Sequence, residues 1–261
     1  MEAKDVDPSV ICLRYLANRF ELNMEQRYWL AFLYGTCYCA TTVFYMYNEF
    51  PDFECVNEKR LQKWWDSKKH TLIFQTDRLR IKSNDQFVEC FKSYKSLVGN
   101  SQERYFNVVG WQQIYNRIER IKHFGRFSLF NYLDVLNELT NVNARPTYLN
   151  MVEAESCRNG LCYAIGRDDL VDKKLTRDNA IMLHKAFVEL LKVTKGNIFQ
   201  VETTLCAYKK YRNGKRYVGY YIDRMKNEID KMSNSSTYGV EWDTLWQFRQ
   251  ETFDKKHLSE L

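Results

Sequence analysis

Apolar side chains recur every three or four residues through most of the chain, and strict alternation of apolar and polar positions is rare. The first spacing places apolar side chains on one face of a helix, whereas alternation indicates strands. The pattern therefore predicts a mostly α fold. The predicted helices are Ser9–Phe20, Met24–Met46, Asn57–Ser67, Asn84–Leu97, Ser101–Glu119, Ser128–Leu139, Arg177–Val193, Asn197–Tyr211, Tyr217–Met232 and Glu241–Glu251.

Polar and turn-forming residues interrupt this pattern. Asn57 and Ser128 stand where a side chain can cap the N-terminus of a helix. Phe50-Pro51-Asp52, Arg145-Pro146 and Asn213-Gly214 predict short loops. The last loop would let two basic helices fold back on each other as a hairpin.

The length of 261 residues suits one large domain or two small ones. Three prolines, ten glycines and no low-complexity stretch offer no linker, so we expect a single helical domain over residues 1–261. Eight cysteines without a C-x-x-C pair and four scattered histidines argue against structural zinc. No signal peptide and no long apolar run are present, which predicts reduced thiols in the cytoplasm and no membrane span.

The net charge of +6 is concentrated in one stretch. The stretch from Leu205 to Lys226 contains seven basic residues and one acidic residue, Asp223. Its net charge equals that of the whole chain, so the remaining residues are together near neutral. Further basic stretches run from Lys59 to Lys82 and from Arg117 to Arg126. Together they can form a face that binds a polyanion such as DNA, or they can be solvated helix faces.

The basic stretch also contains groups suited to chemistry. On the first predicted helix, one face carries an acid, a thiol and two cations, namely Glu202, Cys206, Lys209 and Lys210. On the next predicted helix, one face carries three aromatic rings and an arginine, namely Tyr217, Tyr220, Tyr221 and Arg224. Cations bind phosphates and tyrosine rings stack on unstacked bases. The alternatives are ordinary packing for the tyrosines and a small buried side chain for Cys206.

The segment ESCRNGLCYAIGRDDL, residues 155–170, is a second candidate site. Its two glycines flank a short apolar run, which predicts a short strand or an irregular loop that brings the polar ends together. Those ends are Arg158 and Asn159 on one side and Arg167, Asp168 and Asp169 on the other. The two carboxylates can hold a Mg²⁺ that bridges phosphate oxygens, or they can cap a helix.

Two other segments carry candidate contacts. The segment IKHFGRFSLFNYL, residues 121–133, has the outline of a helical hairpin whose turn can hold a DNA phosphate, through His123, Gly125 and Arg126. The aromatic segment from Trp29 to Phe53 ends in polar residues that include Asn48 and Glu49, which are candidates for a site wall.

Three blocks together carry a family resemblance. The blocks YWLAFLYGTCYCATTVFYMYNEFPDF, ESCRNGLCYAIGRDD and VETTLCAYKKYRNGKRYVGYYIDR resemble the phage amino acid:DNA transferases, also called α-glutamyl/putrescinyl thymine pyrophosphorylases. The resemblance implies a helical fold distantly related to helix-hairpin-helix DNA glycosylases. It also implies a reaction in which an amine from an amino acid or polyamine replaces pyrophosphate on 5-(pyrophosphoryloxymethyl)uracil in double-stranded phage DNA. A separate DNA kinase adds that pyrophosphate beforehand.

This reaction gives the candidate residues their roles. The expected pyrophosphate clamp comprises Arg158, Arg167, Lys209, Arg216 and Arg224, with Asn159 and the three tyrosines beside it. Asp168 would support catalysis, with Mg²⁺ as the one candidate cofactor. Lys210, Arg212 and Lys215 would bind the DNA backbone.

Two residues are expected to take part in the chemistry itself. Glu202 would deprotonate the incoming ammonium. Cys206 would either add to C6 of the pyrimidine as a thiolate, with its pKa lowered by nearby lysines, or have no role in a direct displacement. Two other functions stay open, namely a glycosylase-like enzyme that removes a modified base and a non-catalytic DNA-binding module.

Overall fold

The computed structural model describes residues 8–74, 86–146, 148–217, 219–235 and 241–253. Within these ranges the chain forms α-helices, one 3-10 turn at Asp168–Leu170 and no strand, which confirms the mostly α prediction. The predicted helix start at Asn84 lies outside the described residues. The helices are α1 Pro8–Arg19, α2 Met24–Cys37, α3 Ala40–Glu49, α4 Glu58–Lys68, α5 Gln86–Val98, α6 Gln102–Phe106, α7 Trp111–Ile118, α8 Arg126–Leu139, α9 Glu155–Ala164, α10 Arg177–Thr194, α11 Ile198–Arg212, α12 Tyr220–Ser235 and α13 Trp242–Thr252.

The described residues group into two compact units. The larger unit contains residues 8–144 and 222–253, and the smaller unit contains residues 145–221. The first eight helices and nearly all of the last two belong to the larger unit, while α9, α10 and α11 belong to the smaller one. The assignment of residues 1–261 to a single domain stays a prediction.

An aromatic core built around α2 fills the larger unit. The Trp29 ring lies 5.5 Å from Phe32 and 5.8 Å from Phe91, and Phe32 stacks on Tyr94 at 4.0 Å. The Tyr94 hydroxyl donates to the Gln102 side chain at 2.7 Å, so this buried polar group is satisfied. Residues Tyr28 to Cys37 of α2 are all buried, so this aromatic helix is covered on most of its faces.

Two predicted long helices are each broken in two. The segment Met24–Met46 ends its first helix at Tyr38, which adopts a left-handed backbone with φ 50, and α3 starts after the extended Cys39. The segment Ser101–Glu119 is interrupted before Gly110, whose φ is 91. A continuous helix was wrong for the first segment because the left-handed Tyr38 ends the hydrogen-bonding pattern of α2. It was wrong for the second because α6 ends at Phe106 and residues 107–110 are not helical.

The predicted caps had mixed outcomes. The Asn57 side chain accepts from the backbone N–H groups of Lys59 and Arg60, so this cap is confirmed. The Ser128 cap is wrong, because α8 begins at Arg126 with Gly125 as its N-cap residue, and Ser128 is buried in the first turn.

The smaller unit has its own apolar core between α9, α10 and α11. Leu161, Leu183, Phe187 and Leu205 are central members of this core. The segment of residues 155–170 is mostly the helix α9, so the expected short strand or irregular loop is wrong. The reason lies in tertiary packing, because Gly160 marks a close helix contact and not a turn.

Candidate active site

Helices α9 and α11 approach each other with their backbones in contact. A Cβ atom added to Gly160 would overlap the carbonyl oxygen of Leu205, so only glycine fits there. This close approach brings the first turns of α9 beside the middle of α11. It positions Ser156 next to Cys206 of α11, and Asn159 next to Asp172, whose carboxylate lies near Lys209 of α11.

The predicted acid and thiol form one pair on α11. The Cys206 thiol donates to Oε1 of Glu202 at 3.1 Å, and the Ser156 side chain also hydrogen-bonds the thiol. Both residues of the pair are half-buried. The predicted shared face of Glu202 and Cys206 is therefore confirmed, and Ser156 joins them from a segment that the sequence had placed in a strand or loop.

The thiol is held in its protonated form. Burial raises the pKa of Cys206 well above its ordinary value, and the negative charge of Glu202 raises it further. The hydrogen bond from Ser156 and the charge of Lys210 act in the opposite direction with smaller effects. Lys210 thus acts on the thiol pKa in the expected direction, but burial and the adjacent carboxylate outweigh it, so the pKa is raised and not lowered.

A second polar group forms around the fully buried Asn159. Its amide nitrogen donates to Oδ1 of Asp172, and its oxygen accepts from the Asp172 backbone N–H at 3.1 Å. The Lys209 ammonium lies 3.9 Å from the same carboxylate. Asp172, in a left-handed backbone with φ 57, thus links two predicted site residues, although no sequence signal singled it out.

Exposed charges surround the 3-10 turn after α9. Arg167 makes a two-pronged hydrogen bond to Asp169, at 2.8 Å through each nitrogen, which lowers the pKa of Asp169. Arg212 lies 3.5 Å from Asp168 and its guanidinium stands 5.4 Å above the Tyr163 ring. The two aspartates therefore have arginine partners, and neither is the N-cap of α10.

The N-cap of α10 is Thr176. The prediction of a helix cap at Asp168 and Asp169 is therefore wrong for that helix, since both aspartates lie in the 3-10 turn itself.

Arg158 is buried rather than exposed to a ligand. Its guanidinium donates to the carbonyl oxygens of Val152 at 2.9 Å and Met151 at 3.4 Å. Its Nε atom is buried with no hydrogen-bond partner among the described residues. Arg158 thus holds the turn before α9, and its predicted role in a pyrophosphate clamp stays a prediction.

The end of the smaller unit carries a ladder of rings and one cation. The Arg216 guanidinium lies 4.0 Å above the Tyr221 ring and 5.3 Å from Tyr220, and the Tyr217 ring is 5.8 Å from Tyr220. Tyr217 precedes α12, so its predicted place on that helix is wrong. Tyr217 as a whole residue is 55% exposed.

Three predicted substrate-binding residues belong to the larger unit. Arg224 donates through Nε to Glu228 at 2.9 Å, Asn48 donates to the Phe44 carbonyl of its own helix, and Glu49 pairs with Arg60 at 2.7 Å. Their predicted roles at the substrate stay predictions.

The predicted DNA-binding turn also lies in the larger unit. Gly125 is the N-cap of α8, and Arg126 is its exposed first residue. Lys122 and His123 both contact the Glu89 carboxylate, at 2.7 and 2.8 Å, and they lower the pKa of Glu89 to about 2. Glu89 thereby fixes the turn between α7 and α8, and the relation of this turn to helix-hairpin-helix proteins stays a prediction.

Lys210, Arg212 and Lys215 are exposed at the end of α11 and just beyond it. Their placement suits contacts with a DNA backbone, which stay predictions.

No group of three or more His, Cys, Asp or Glu residues is arranged to hold a metal ion within the described ranges. None of the helices described is both long enough and apolar enough to cross a membrane.

The described part of the smaller unit is helical and carries an acid, a thiol and cations on one helix, a combination that suits an anionic partner. The family model described as "Amino acid:DNA transferase" matches residues 1–215, and the chain belongs to this family. It is also 27% identical over 246 residues to a protein named "Serinyltransferase" from Salmonella phage ViI. That match covers 80% of this chain and 59% of the relative's length, so the chain spans well under two thirds of that relative. The predicted family is therefore confirmed.

Proposed function

We propose that this protein replaces the pyrophosphate of 5-(pyrophosphoryloxymethyl)uracil in DNA with an amine from an amino acid or polyamine. The observation that carries the proposal is the Glu202–Cys206 pair, which lies on the same helix as Lys209 and Arg212. This arrangement puts a carboxylate next to phosphate-binding cations. Family membership supports DNA and an amino acid as the two substrates.

The reaction balances as a substitution at the exocyclic methylene carbon of the base. The amine nitrogen forms a bond to that carbon while the bond from carbon to the pyrophosphate oxygen breaks, and its electron pair leaves with pyrophosphate. An α-ammonium is not a nucleophile until it loses a proton, so Glu202 takes that proton. Direct displacement is our proposed route, because the raised pKa of Cys206 keeps the thiol protonated near neutral pH.

The basic groups would stabilise the departing pyrophosphate. Arg167 and Arg216 sit on either side of α11 in the sequence, and Lys209 belongs to α11 itself. The positive charge of each stabilises the reaction most in the transition state, when negative charge develops on the leaving pyrophosphate. Asn159 and the rings of Tyr217 and Tyr220 would position the extruded base.

Mg²⁺ is proposed as a companion of the pyrophosphate and not as a fixed part of the protein. The exposed carboxylates of Asp168 and Asp169 fit a hydrated Mg²⁺ that arrives with phosphate oxygens. Activity measured across a titration with EDTA and then MgCl₂ tests this point.

The choice of amine follows from the relative's name. Since a relative is called a serinyltransferase, serine is the first amine to test, with other amino acids and polyamines beside it. An upstream kinase must supply the pyrophosphorylated base, and both reactions would take place in the cytoplasm of the infected host.

Mass spectrometry of nucleosides tests the proposal. DNA carrying the pyrophosphorylated base is incubated with the protein and a mixture of amino acids and polyamines, then digested. We expect a heavier, amine-bearing thymidine and an equal amount of pyrophosphate. Release of the free base would indicate a glycosylase, and unchanged DNA with every amine would overturn the proposal.

A matched pair of variants controls this experiment. Glu202→Gln should lose the product, whereas Glu189→Gln should keep it, because Glu189 forms only an exposed ion pair with Lys192 on α10.

A further inference from the structure

The net positive charge of the chain lies in the smaller unit. Residues 145–221 contain fourteen Lys or Arg and eight Asp or Glu, a net charge of +6 that equals the charge of the whole chain. The remaining residues are together neutral. A unit with such a charge attracts polyanions, and exposed cations without acidic partners mark the part of its surface that can bind one.

Cations of this kind occur in the loop between the 3-10 turn and α10, residues 171–176, which we call the basic loop. Lys173 and Lys174 are exposed, and neither forms an ion pair with a carboxylate among the described residues. Arg177, the exposed first residue of α10, has no such ion pair either. The charge pattern along the sequence does not reveal these cations, because residues 168–178 also contain four aspartates.

The base of the basic loop is fixed to the core of the smaller unit. Val171 and Leu175 pack against that core, and the Lys173 backbone N–H donates to a carbonyl oxygen of the 3-10 turn at 3.3 Å. The fully buried Asn159 holds Asp172 through two hydrogen bonds, one to its carboxylate and one from its backbone N–H. The two lysines therefore belong to an ordered segment, and a ligand that binds them does not have to order the loop first.

Two ion contacts place the basic loop and the preceding 3-10 turn beside α11. Arg212 lies 3.5 Å from Asp168, and Lys209 lies 3.9 Å from Asp172. The chain from Asp168 to Asp172 thus runs along α11 in the direction opposite to the helix. Lys173 follows the contact at Lys209, which lies nearer to the proposed proton acceptor than Arg212 does. The exposed lysines of the loop therefore extend the basic end of α11 towards the proposed site.

We propose that the basic loop binds phosphates of duplex DNA together with the cations at the end of α11, namely Lys210, Arg212 and Lys215. The part of α11 from Glu202 to Arg212 rises about 15 Å, and one strand of B-DNA presents a phosphate about every 3.4 Å along its axis. About four consecutive phosphates fit beside this length, and contacts with them fix the register of the strand. The inference rests on the proposed function in one respect, namely that duplex DNA is the partner.

The double variant Lys173→Ala, Lys174→Ala tests the basic loop. Its control, Lys185→Ala with Lys192→Ala, removes two exposed lysines from α10 in the same unit, so both double variants lose the same net charge. A third variant, Lys173→Arg with Lys174→Arg, keeps the charge of the loop. Affinity for an unmodified DNA duplex is measured by fluorescence anisotropy between about 50 and 200 mM salt.

The expected result is a change in salt dependence. Each phosphate contact contributes about −0.9 to the slope of log affinity against log salt. The slope of Lys173→Ala, Lys174→Ala should therefore be less steep by about 2, and its affinity at about 100 mM salt should fall about tenfold or more on any base sequence. The control and the arginine variant should keep the wild-type slope.

Two results would show that the basic loop is not a DNA contact. An unchanged slope and affinity in Lys173→Ala, Lys174→Ala would overturn the inference. An equal change in the control would overturn it as well, since net charge alone would then explain the binding. Loss of affinity for an RNA duplex without loss for the DNA duplex would identify the wrong partner and likewise overturn the inference.

These measurements are independent of the proposed chemistry, because they need neither the modified base nor an amine. A protein that shows the expected slopes but makes no amine product would keep the basic loop as a DNA contact and refute the transfer reaction. A protein that makes product, with an unchanged slope in Lys173→Ala, Lys174→Ala, would do the reverse.

Discussion

A cysteine meets a glutamate in each of the two units, in very different surroundings. In the larger unit, the Cys39 thiol donates to Glu228 at 3.5 Å and Arg224 donates to the other carboxylate oxygen at 2.9 Å. Both Cys39 and Glu228 are buried. In the smaller unit, Cys206 donates to Glu202 one turn earlier on the same helix, and both are half-buried.

The difference separates a contact between distant parts of the core from a contact within one helix. Cys39 and Glu228 are 189 residues apart, so their contact joins distant parts of the chain inside the core. Glu202 and Cys206 are four residues apart, and a pair at that spacing adds only about 0.2–0.5 kcal/mol to a helix. We propose the half-buried Glu202 carboxylate, which precedes Lys209 and Lys210 on α11, as the proton acceptor.

The largest expected difference between the two pairs concerns their glutamates, Glu202 and Glu228. Glu202→Gln should lower turnover by about two to four orders of magnitude while the fold and DNA binding persist, because only the proton acceptor is removed. Turnover should recover in part as pH rises and more amine is free. Glu228→Gln should instead lower the free energy of unfolding by about 1–3 kcal/mol, since Arg224 loses a buried charged acceptor. Steady-state kinetics and urea unfolding of both variants test this pair of predictions. A loss of stability without a loss of turnover in Glu202→Gln, together with the reverse in Glu228→Gln, would contradict it.

The next largest effect is expected at Arg167. Arg167→Ala should reduce transfer about 10- to 100-fold and leave binding of unmodified DNA nearly unchanged, since the charge acts on the leaving group. Arg14→Ala is the control, because it removes an exposed ion pair with Glu138 in the larger unit. Equal losses of transfer and DNA binding in Arg167→Ala would make it a backbone contact.

Helix packing in the two units can be compared at two glycines. Gly160→Ala should lower the free energy of unfolding by about 1–3 kcal/mol or more, because the new methyl overlaps the Leu205 carbonyl. Gly35→Ala in the larger unit should cost less, since its Cβ would lie 2.9 Å from Cβ of Tyr132, a side-chain atom. Thermal unfolding of both variants measures the difference, and a larger loss in Gly35→Ala would refute this ranking.

The smallest effects concern the two thiols and alkaline pH. Burial raises the pKa of both Cys39 and Cys206 above the ordinary value of 9.0. Above that pH the unfolded chain releases protons that the folded protein keeps, so stability falls as pH rises. Cys39→Ala and Cys206→Ala should each reduce this alkaline loss, seen as a shallower fall of Tm between pH 8 and 10.

Turnover of Cys206→Ala adds a test of the chemistry. It should stay within about threefold of wild type if the thiol serves only packing. Loss of pyrophosphate release in a folded Cys206→Ala protein would instead restore the covalent route.

Local signals explain which parts of the fold were predictable. Asn57 is a residue type that caps helices, and it stands directly before an apolar pattern, so its cap was visible in the sequence. The break after α2 was not, because the left-handed residue is Tyr38 and neither glycine nor proline stands at the break itself. At Gly160 the error was the reverse, because the glycine indicated a turn although it lies within α9 and allows close packing against α11.

The site was predictable where its members share one helix. The spacing of Glu202 and Cys206 placed both on one face, and the structure confirms the contact. Ser156 and Asp172 reach the same region through the approach of α9 to α11 and a left-handed turn, and no spacing rule connects them to α11. The direction of the Cys206 pKa shift depends on burial, which the sequence does not display.

The larger unit is assembled from both ends of the chain, and this order matters during translation. Tyr15 of α1 packs 5.4 Å from Phe248 of α13, and Phe44 of α3 packs 6.0 Å from Trp242. A ribosome needs roughly 10 to 40 s to add the 197 residues between Phe44 and Trp242 at about 5–20 residues per second. During that interval the aromatic side chains of the nascent α1 and α3 lack these packing partners and are exposed to chaperones and proteases. The described part of the smaller unit, residues 145–221, is continuous in sequence and can fold as soon as it has emerged from the ribosome.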